Sequence, residues 1–127
     1  MNSRDKNQDR KIFAKQLEER TKKFAVAIIK LSAKLPGTPE GRAVRYQLTK
    51  AGTSVGANYR EANRSRSRAD FKHKIKISET EASETQYWLE VIIDVGWLKP
   101  GDIEWEYKEA GELLAIFTSI SNNLNND

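Results

Sequence analysis

Four times along this chain, apolar residues return at steps of three and four, and residues that stop a helix separate the stretches. Leu17, Thr21, Phe24, Ile28, Leu31 and Leu35 form the first stripe, closed by Pro36 and Gly37. That spacing puts all of them on one face of an α-helix, a face that must be buried. Thr38 follows as an N-cap, with Pro39 at the first helical position and Glu40 beside the positive helix end. The second stripe is Val44, Leu48, Ala51, Val55, Tyr59 and Ala62. Ser67 then caps a third helix expected over roughly 68–95, with Asp70 three residues on as in a capping box. Gly96 and the sequence Lys99-Pro100-Gly101-Asp102 end that helix, and Asp102 is the expected cap of the fourth. The fourth stripe reads Ile103, Tyr107, Ala110, Leu114, Phe117, Ile120 and Leu124. Short connections force consecutive helices antiparallel, so the pattern predicts an all-α, up-down-up-down four-helix bundle.

A chain of 127 residues suits one such domain. The bundle is expected over 11–124, with residues 1–10 a disordered polar tail and the asparagine-rich end, 125–127 above all, frayed. Cysteine is absent, so disulfides and thiolate metal sites are excluded. The N-terminus lacks the apolar core of a signal peptide, and no apolar run approaches the roughly 18 residues of a membrane span. The expected location is cytoplasmic, away from the membrane.

The middle of the second helix, GTSVGAN, has poor intrinsic helicity. Gly52 and Gly56 each cost about 1 kcal/mol relative to alanine, and Thr53 and Val55 are β-branched. Two glycines four apart leave a bare strip on one face, which predicts a tight helix crossing there; a local break is the alternative. The third helix has a second stripe beside its core face: Ile77, Glu81, Glu84, Trp88, Val91 and Val95. One bundle core does not require both stripes, so Trp88, Val91 and Val95 are a candidate homo-oligomer interface.

The charges are unevenly placed. Residues 1–76 hold 20 Lys and Arg against 7 Asp and Glu, or +13, whereas residues 77–127 hold 2 against 11, or −9. The two parts either neutralise each other in the fold or leave an external basic face that attracts phosphate. The densest cations surround the turn between helices two and three: Arg60, Arg64, Arg66, Arg68, Lys72, Lys74 and Lys76, against Glu61 and Asp70. Lysines in the first turns of a helix oppose its macrodipole. Arginine's planar fork bonds two phosphate oxygens at once. These seven are the candidate nucleic-acid-binding residues; the alternative is a solvated charge run. Stacking aromatics are scarce here, so base-specific readout is not supported.

Catalytic and metal chemistry find little footing. The single histidine, His73, has no nucleophile elbow to serve. A di-iron bundle needs two Glu-x-x-His motifs, and only Asp70-x-x-His73 is present. No phosphate-cradling glycine loop follows a strand. No cofactor is expected. Glu81 and Glu84 would be the acid/base pair of an enzyme. Antiparallel pairing about residue 65 instead brings Glu81 near Lys50, Glu84 near Gln47, Asn58 near His73 and Glu61 near Asp70. Gln47, Asn58, Glu61, Glu81 and Glu84 are therefore expected to form a hydrogen-bonded polar layer that fixes helix register.

The segments QLTKAGTSVGANYREA (47–62), Asp70-Phe71 and EASETQYWLEV (81–91) resemble the bacterial family of four helix bundle proteins. That family includes proteins encoded in intervening sequences of 23S ribosomal RNA genes, once labelled a ribosomal protein. The resemblance spans roughly 13–124. It implies a four-helix protomer in a ring-like homopentamer with no established enzyme activity. It also implies a distant relation to the accessory proteins of diversity-generating retroelements, basic pentamers that bind nucleic acid and a reverse transcriptase. The family's leucine-proline-x-glutamate end of helix one is stretched here to Leu35-Pro36-Gly37-Thr38-Pro39-Glu40. The arginines at 64–68 lie outside the family motif, so RNA or DNA binding rests on this chain's own charge and on the distant relatives. Two function classes follow: a nonspecific nucleic-acid binder, or a structural adaptor ring that docks a protein partner.

Overall fold

The computed structural model describes residues 3–125. Helix α1 spans Ser3–Ser32, α2 Pro39–Ala62, α3 Arg68–Val95 and α4 Glu104–Asn125, with a 3-10 turn at Pro100–Asp102. The caps account for the boundaries. Thr38 accepts a hydrogen bond from the Gly41 amide, and Pro39 opens α2. Ser67 accepts from the Asp70 amide at 3.0 Å and opens α3. Gly96 ends α3 in the left-handed conformation, φ 87°, where it carries no steric penalty. Its amide and that of Trp97 return to carbonyls of the last turn, Ile92 and Ile93.

Successive helices pack antiparallel, α1 on α2, α2 on α3 and α3 on α4, while α1 and α4 meet only sparsely. The core is Leu17, Phe24, Ile28, Leu31 and Leu35 from α1 and its end, Leu48, Val55 and Tyr59 from α2, Ile75, Ala82, Leu89 and Ile92 from α3, and Ala110, Leu113 and Phe117 from α4. Tyr59 meets Phe117 edge to face at 5.4 Å. Hydroxyls at core positions spend their donors on backbone carbonyls: Thr21 on Leu17, Thr85 on Glu81, and Ser78 across to Val55 at 2.9 Å. Buried and hydrogen-bonded, they cost little.

The glycine crossing forms. α2 is continuous, which excludes a break, and Gly52 and Gly56 pack directly on α1. A Cβ at Gly52 would lie 2.6 Å from the Ile28 side chain, and one at Gly56 would lie 2.8 Å from the Thr21 hydroxyl. Gly41 is a third such position, pressed against the Pro36 carbonyl where the connection folds back on α2.

Four expectations need correction. Residues 3–10, expected within a disordered tail over 1–10, are helical, and residues 1 and 2 lie outside the described residues. Lys6, Gln8 and Arg10 are good helix formers, and Asp9, Arg10 and Phe13 share a groove with Ile120 of α4. The asparagine-rich end likewise stays helical to Asn125, with Ser121 buried; residues 126 and 127 lie outside the described residues. Asp102 closes its own 3-10 turn, accepting from the Lys99 amide, and does not cap α4. Finally, α4 is rotated from the expected face. Glu109, Ala110, Leu113, Phe117 and Ser121 are buried, whereas Tyr107 is exposed and Leu114 is half-buried.

Candidate nucleic-acid interface

The turn between α2 and α3 is built by backbone hydrogen bonds that return to the end of α2: Asn63 to Tyr59, Arg64 to Glu61 and Ser65 to Ala62. Asn63 also donates its side-chain amide to Glu18 of α1 at 2.9 Å. The turn is thus tied to α1, and through Arg68, which donates to the Leu124 carbonyl at 2.9 Å, to the end of α4. A fixed backbone of this kind presents its arginines from a defined position.

The seven cations divide into two groups. Lys74 is paired with Asp70 at 2.9 Å, Lys76 with Glu79 at 2.6 Å, and Arg68 serves the α4 carbonyl. Arg60, Arg64, Arg66 and Lys72 are exposed and make no ion pair among the described residues. Arg60 faces a groove of about 450 Å³ between α1 and α2 that Lys15 and Lys22 also line. Sequence reasoning missed those two lysines. Their signal was the seven-residue separation, which puts them on one helix face beside the core stripe. Glu18 and Glu19 line the same groove, so its charge is mixed there.

The expected polar layer does not assemble. Gln47, Glu61 and Glu84 are exposed, and Asn58 donates to the Ser54 carbonyl of its own helix. The antiparallel register brings Glu81 within electrostatic reach of Lys50, as expected, but no hydrogen bond joins them among the described residues. Instead, one Glu81 oxygen is wholly buried without a partner. Burial pushes this carboxyl above the usual range, repulsion from Glu84 adds to the effect, and Lys50 partly offsets it. The second stripe of α3 lies at the margin of the bundle: Trp88 is half-buried and packs against the core, Val91 is half-buried, and Val95 is 53% exposed. Tyr87 stands beside Trp88, edge to face at 5.0 Å, and is itself exposed.

His73 is exposed on the second turn of α3. Among the described residues, no group of three or more His, Cys, Asp or Glu could hold a metal ion. No helix among them is long and apolar enough to cross a membrane.

The basic turn sits at one end of the bundle, beside the end of α4. At the opposite end the charge is mixed: the α3–α4 connection is flanked by Glu90, Asp94, Asp102, Glu104 and Glu106 against Lys99 and Lys108, and the α1–α2 connection at the same end carries Lys30, Lys34, Arg42 and Arg45 against Glu40.

Comparison with known proteins agrees with this architecture. No curated protein matches the chain. A crystal structure from Bacteroides thetaiotaomicron, of a protein with unknown function from the S23 ribosomal protein family, superposes with a TM-score of 0.76 at 35% identity. The match covers 82% of this chain and 96% of that one. The model of the 23S rRNA-intervening sequence protein matches residues 15–119, and the chain belongs to that family.

Proposed function

We propose that this protein is a non-enzymatic homo-oligomer that binds RNA or DNA without sequence preference through the basic end of its bundle. The observation that carries the reading is the set of four exposed cations, Arg60, Arg64, Arg66 and Lys72, without ion pairs among the described residues, on and beside a hydrogen-bonded turn. Cations that the fold does not use are available to phosphate, and each neutralised phosphate releases counterions. Assembly multiplies the face. It is supported by the partly exposed stripe of Trp88, Val91 and Val95 and by the buried Glu81 oxygen, which lacks a donor among the described residues of the protomer. A pentamer is the state that the family resemblance implies.

A mobility-shift titration across salt tests the reading. Affinity for duplex should fall steeply with salt, and replacing Arg60, Arg64 and Arg66 by alanine should reduce the log–log slope by about 3. Unchanged affinity and slope in that variant would remove this site from consideration. The second reading, an adaptor ring docking a protein without nucleic acid, is favoured by the acidic α3–α4 end, which repels phosphate. A preparation free of bound nucleic acid, with no mobility shift at low salt, would favour it.

A further inference from the structure

Beside the acidic α3–α4 connection lies a groove that the nucleic-acid reading leaves unused. Between the last turns of α3 and the first of α4 lies a cleft of about 440 Å³. That is within the range of ligand-sized sites, about 300–1,000 Å³. Its floor is apolar, formed by Ile93, Ile103 and Tyr107, and carboxylates of Glu90, Asp94 and Glu104 stand around it. Lys108 is the one basic residue among its lining side chains. The Tyr107 hydroxyl donates to Glu90 at 3.0 Å, which holds that carboxylate at the rim while leaving its charge in place.

We infer that this groove docks a cationic, amphipathic segment of a partner protein, with an apolar side chain on Ile93 and Ile103 and Lys or Arg side chains against Glu90, Asp94 and Glu104. Charge complementarity selects the occupant. A phosphate backbone would be repelled by three carboxylates, and these carboxylates are not grouped as a metal site. Spread around an apolar floor, they suit several cations carried on one helix face, the usual chemistry of helix-in-groove recognition. The chain's own basic segments with exposed apolar residues include Lys11, Ile12 and Lys15 near the start of α1, at the opposite end of the bundle, and Lys23, Val26, Ile29 and Lys30 near its end. A second copy reaching the groove with the first of these would do so end to end, a heterologous contact that builds open chains. The inference is independent of nucleic-acid binding.

The test uses the full chain and a fluorescein-labelled helical peptide of lysine and leucine, followed by anisotropy. Saturable binding is expected, and the triple variant Glu90→Gln, Asp94→Gln, Glu104→Gln should weaken it by about tenfold or more. A control of equal charge, Glu40→Gln, Glu61→Gln, Glu84→Gln, should change it less than about twofold, because these exposed charges outside the groove are screened. The single variant Asp94→Gln should give an intermediate loss, should the triple variant fail to fold. Equal losses in the two triple variants, or equal binding of oligolysine without leucine, would reduce the groove to bulk charge and overturn the proposal. So would absence of saturable binding. A fall in light-scattering mass in the groove variant, matched in the unaltered groove by Lys11→Glu with Lys15→Glu or by Lys23→Glu with Lys30→Glu, would assign the groove to a second copy instead. None of these readouts involves nucleic acid, so failure here leaves the basic face untouched.

Discussion

Helix α1 meets its two neighbours by opposite chemistries. Against α2 it packs side chain to backbone, with Ile28 over Gly52 and Thr21 over Gly56, so that only α1 side chains lie between the helices there. Against α4 the contact is sparse, and a bidentate ion pair spans it: Arg20 donates from Nε and from a terminal nitrogen to the two Glu109 oxygens, each at 2.7 Å. Glu112 adds a longer contact to Arg20 at 3.4 Å. Glu109 is buried, 8% exposed, and the Arg20 hydrogen bond holds its carboxyl below the usual range. The first seam is steric and indifferent to pH and salt. The second depends on charge, and one protonation event dissolves its strongest contact.

The largest effect should come from filling the steric seam. Gly52→Leu should cost about 3 kcal/mol or more, since nothing on α1 can retreat without moving the core. Melting temperature would read it. A milder version sharpens the point: Gly52→Ala combined with Ile28→Ala should cost less than the sum of the two single changes. Simple additivity would mean that the helices are not in the close approach described.

Breaking the charged seam should cost less. Arg20→Met leaves Glu109 buried without its partner, and about 1–2 kcal/mol is expected, discounted because the arginine side chain is 38% exposed. The pH dependence has a fixed sign. Because the folded-state pKa of Glu109 is depressed, its contribution is complete above the unfolded value near 4.5 and is lost as pH falls below it. Urea melts should therefore show wild type losing more stability than Arg20→Met between pH 6 and pH 3. Parallel losses would assign acid sensitivity elsewhere.

The smallest effect concerns Glu81 and has the opposite sign. Its folded-state pKa is raised, so its contribution is present below the unfolded value and lost as pH rises through the folded one. Glu81→Gln should raise the melting temperature of the protomer at neutral pH by about 1–2 °C. If the same change instead lowers the assembly mass in light scattering, the buried oxygen takes its hydrogen bond from a neighbouring subunit.

Much of the bundle was legible because its signals are local. Ser67 and Gly96 set the ends of α3 where the sequence put them, and the glycine pair announced its crossing because two missing side chains in four residues leave little else to happen. The face of α4 was not legible. Leu113 and Leu114, like Ile116 and Phe117, are adjacent apolar residues, so two stripes satisfy the helical period equally. Within the structure, Glu109 turns inward with the chosen stripe to meet Arg20, a partner 89 residues away that no local window contains. The polar layer failed for a related reason. Pairing arithmetic gives the height of a residue along a helix but not its rotation, so Gln47 and Glu84 could share a level and still point outward. Of the site, sequence supplied the cations but not their division into spent and unspent. Only the positions of Asp70, Glu79 and the Leu124 carbonyl determine which ones the fold consumes.

The charge gradient along α3 has a consequence for motion as well as for binding. Helix α3 begins among lysines and ends among carboxylates, in the same sense as the dipole of its own backbone, so the two add. A helix charged in this way experiences torque in the field of a polyanion before it touches it. On the proposed nucleic-acid reading, the protein would turn its α2–α3 end forward while still at a distance of order the Debye length, about 8–10 Å. The orientation that presents the basic turn would then be selected during diffusion.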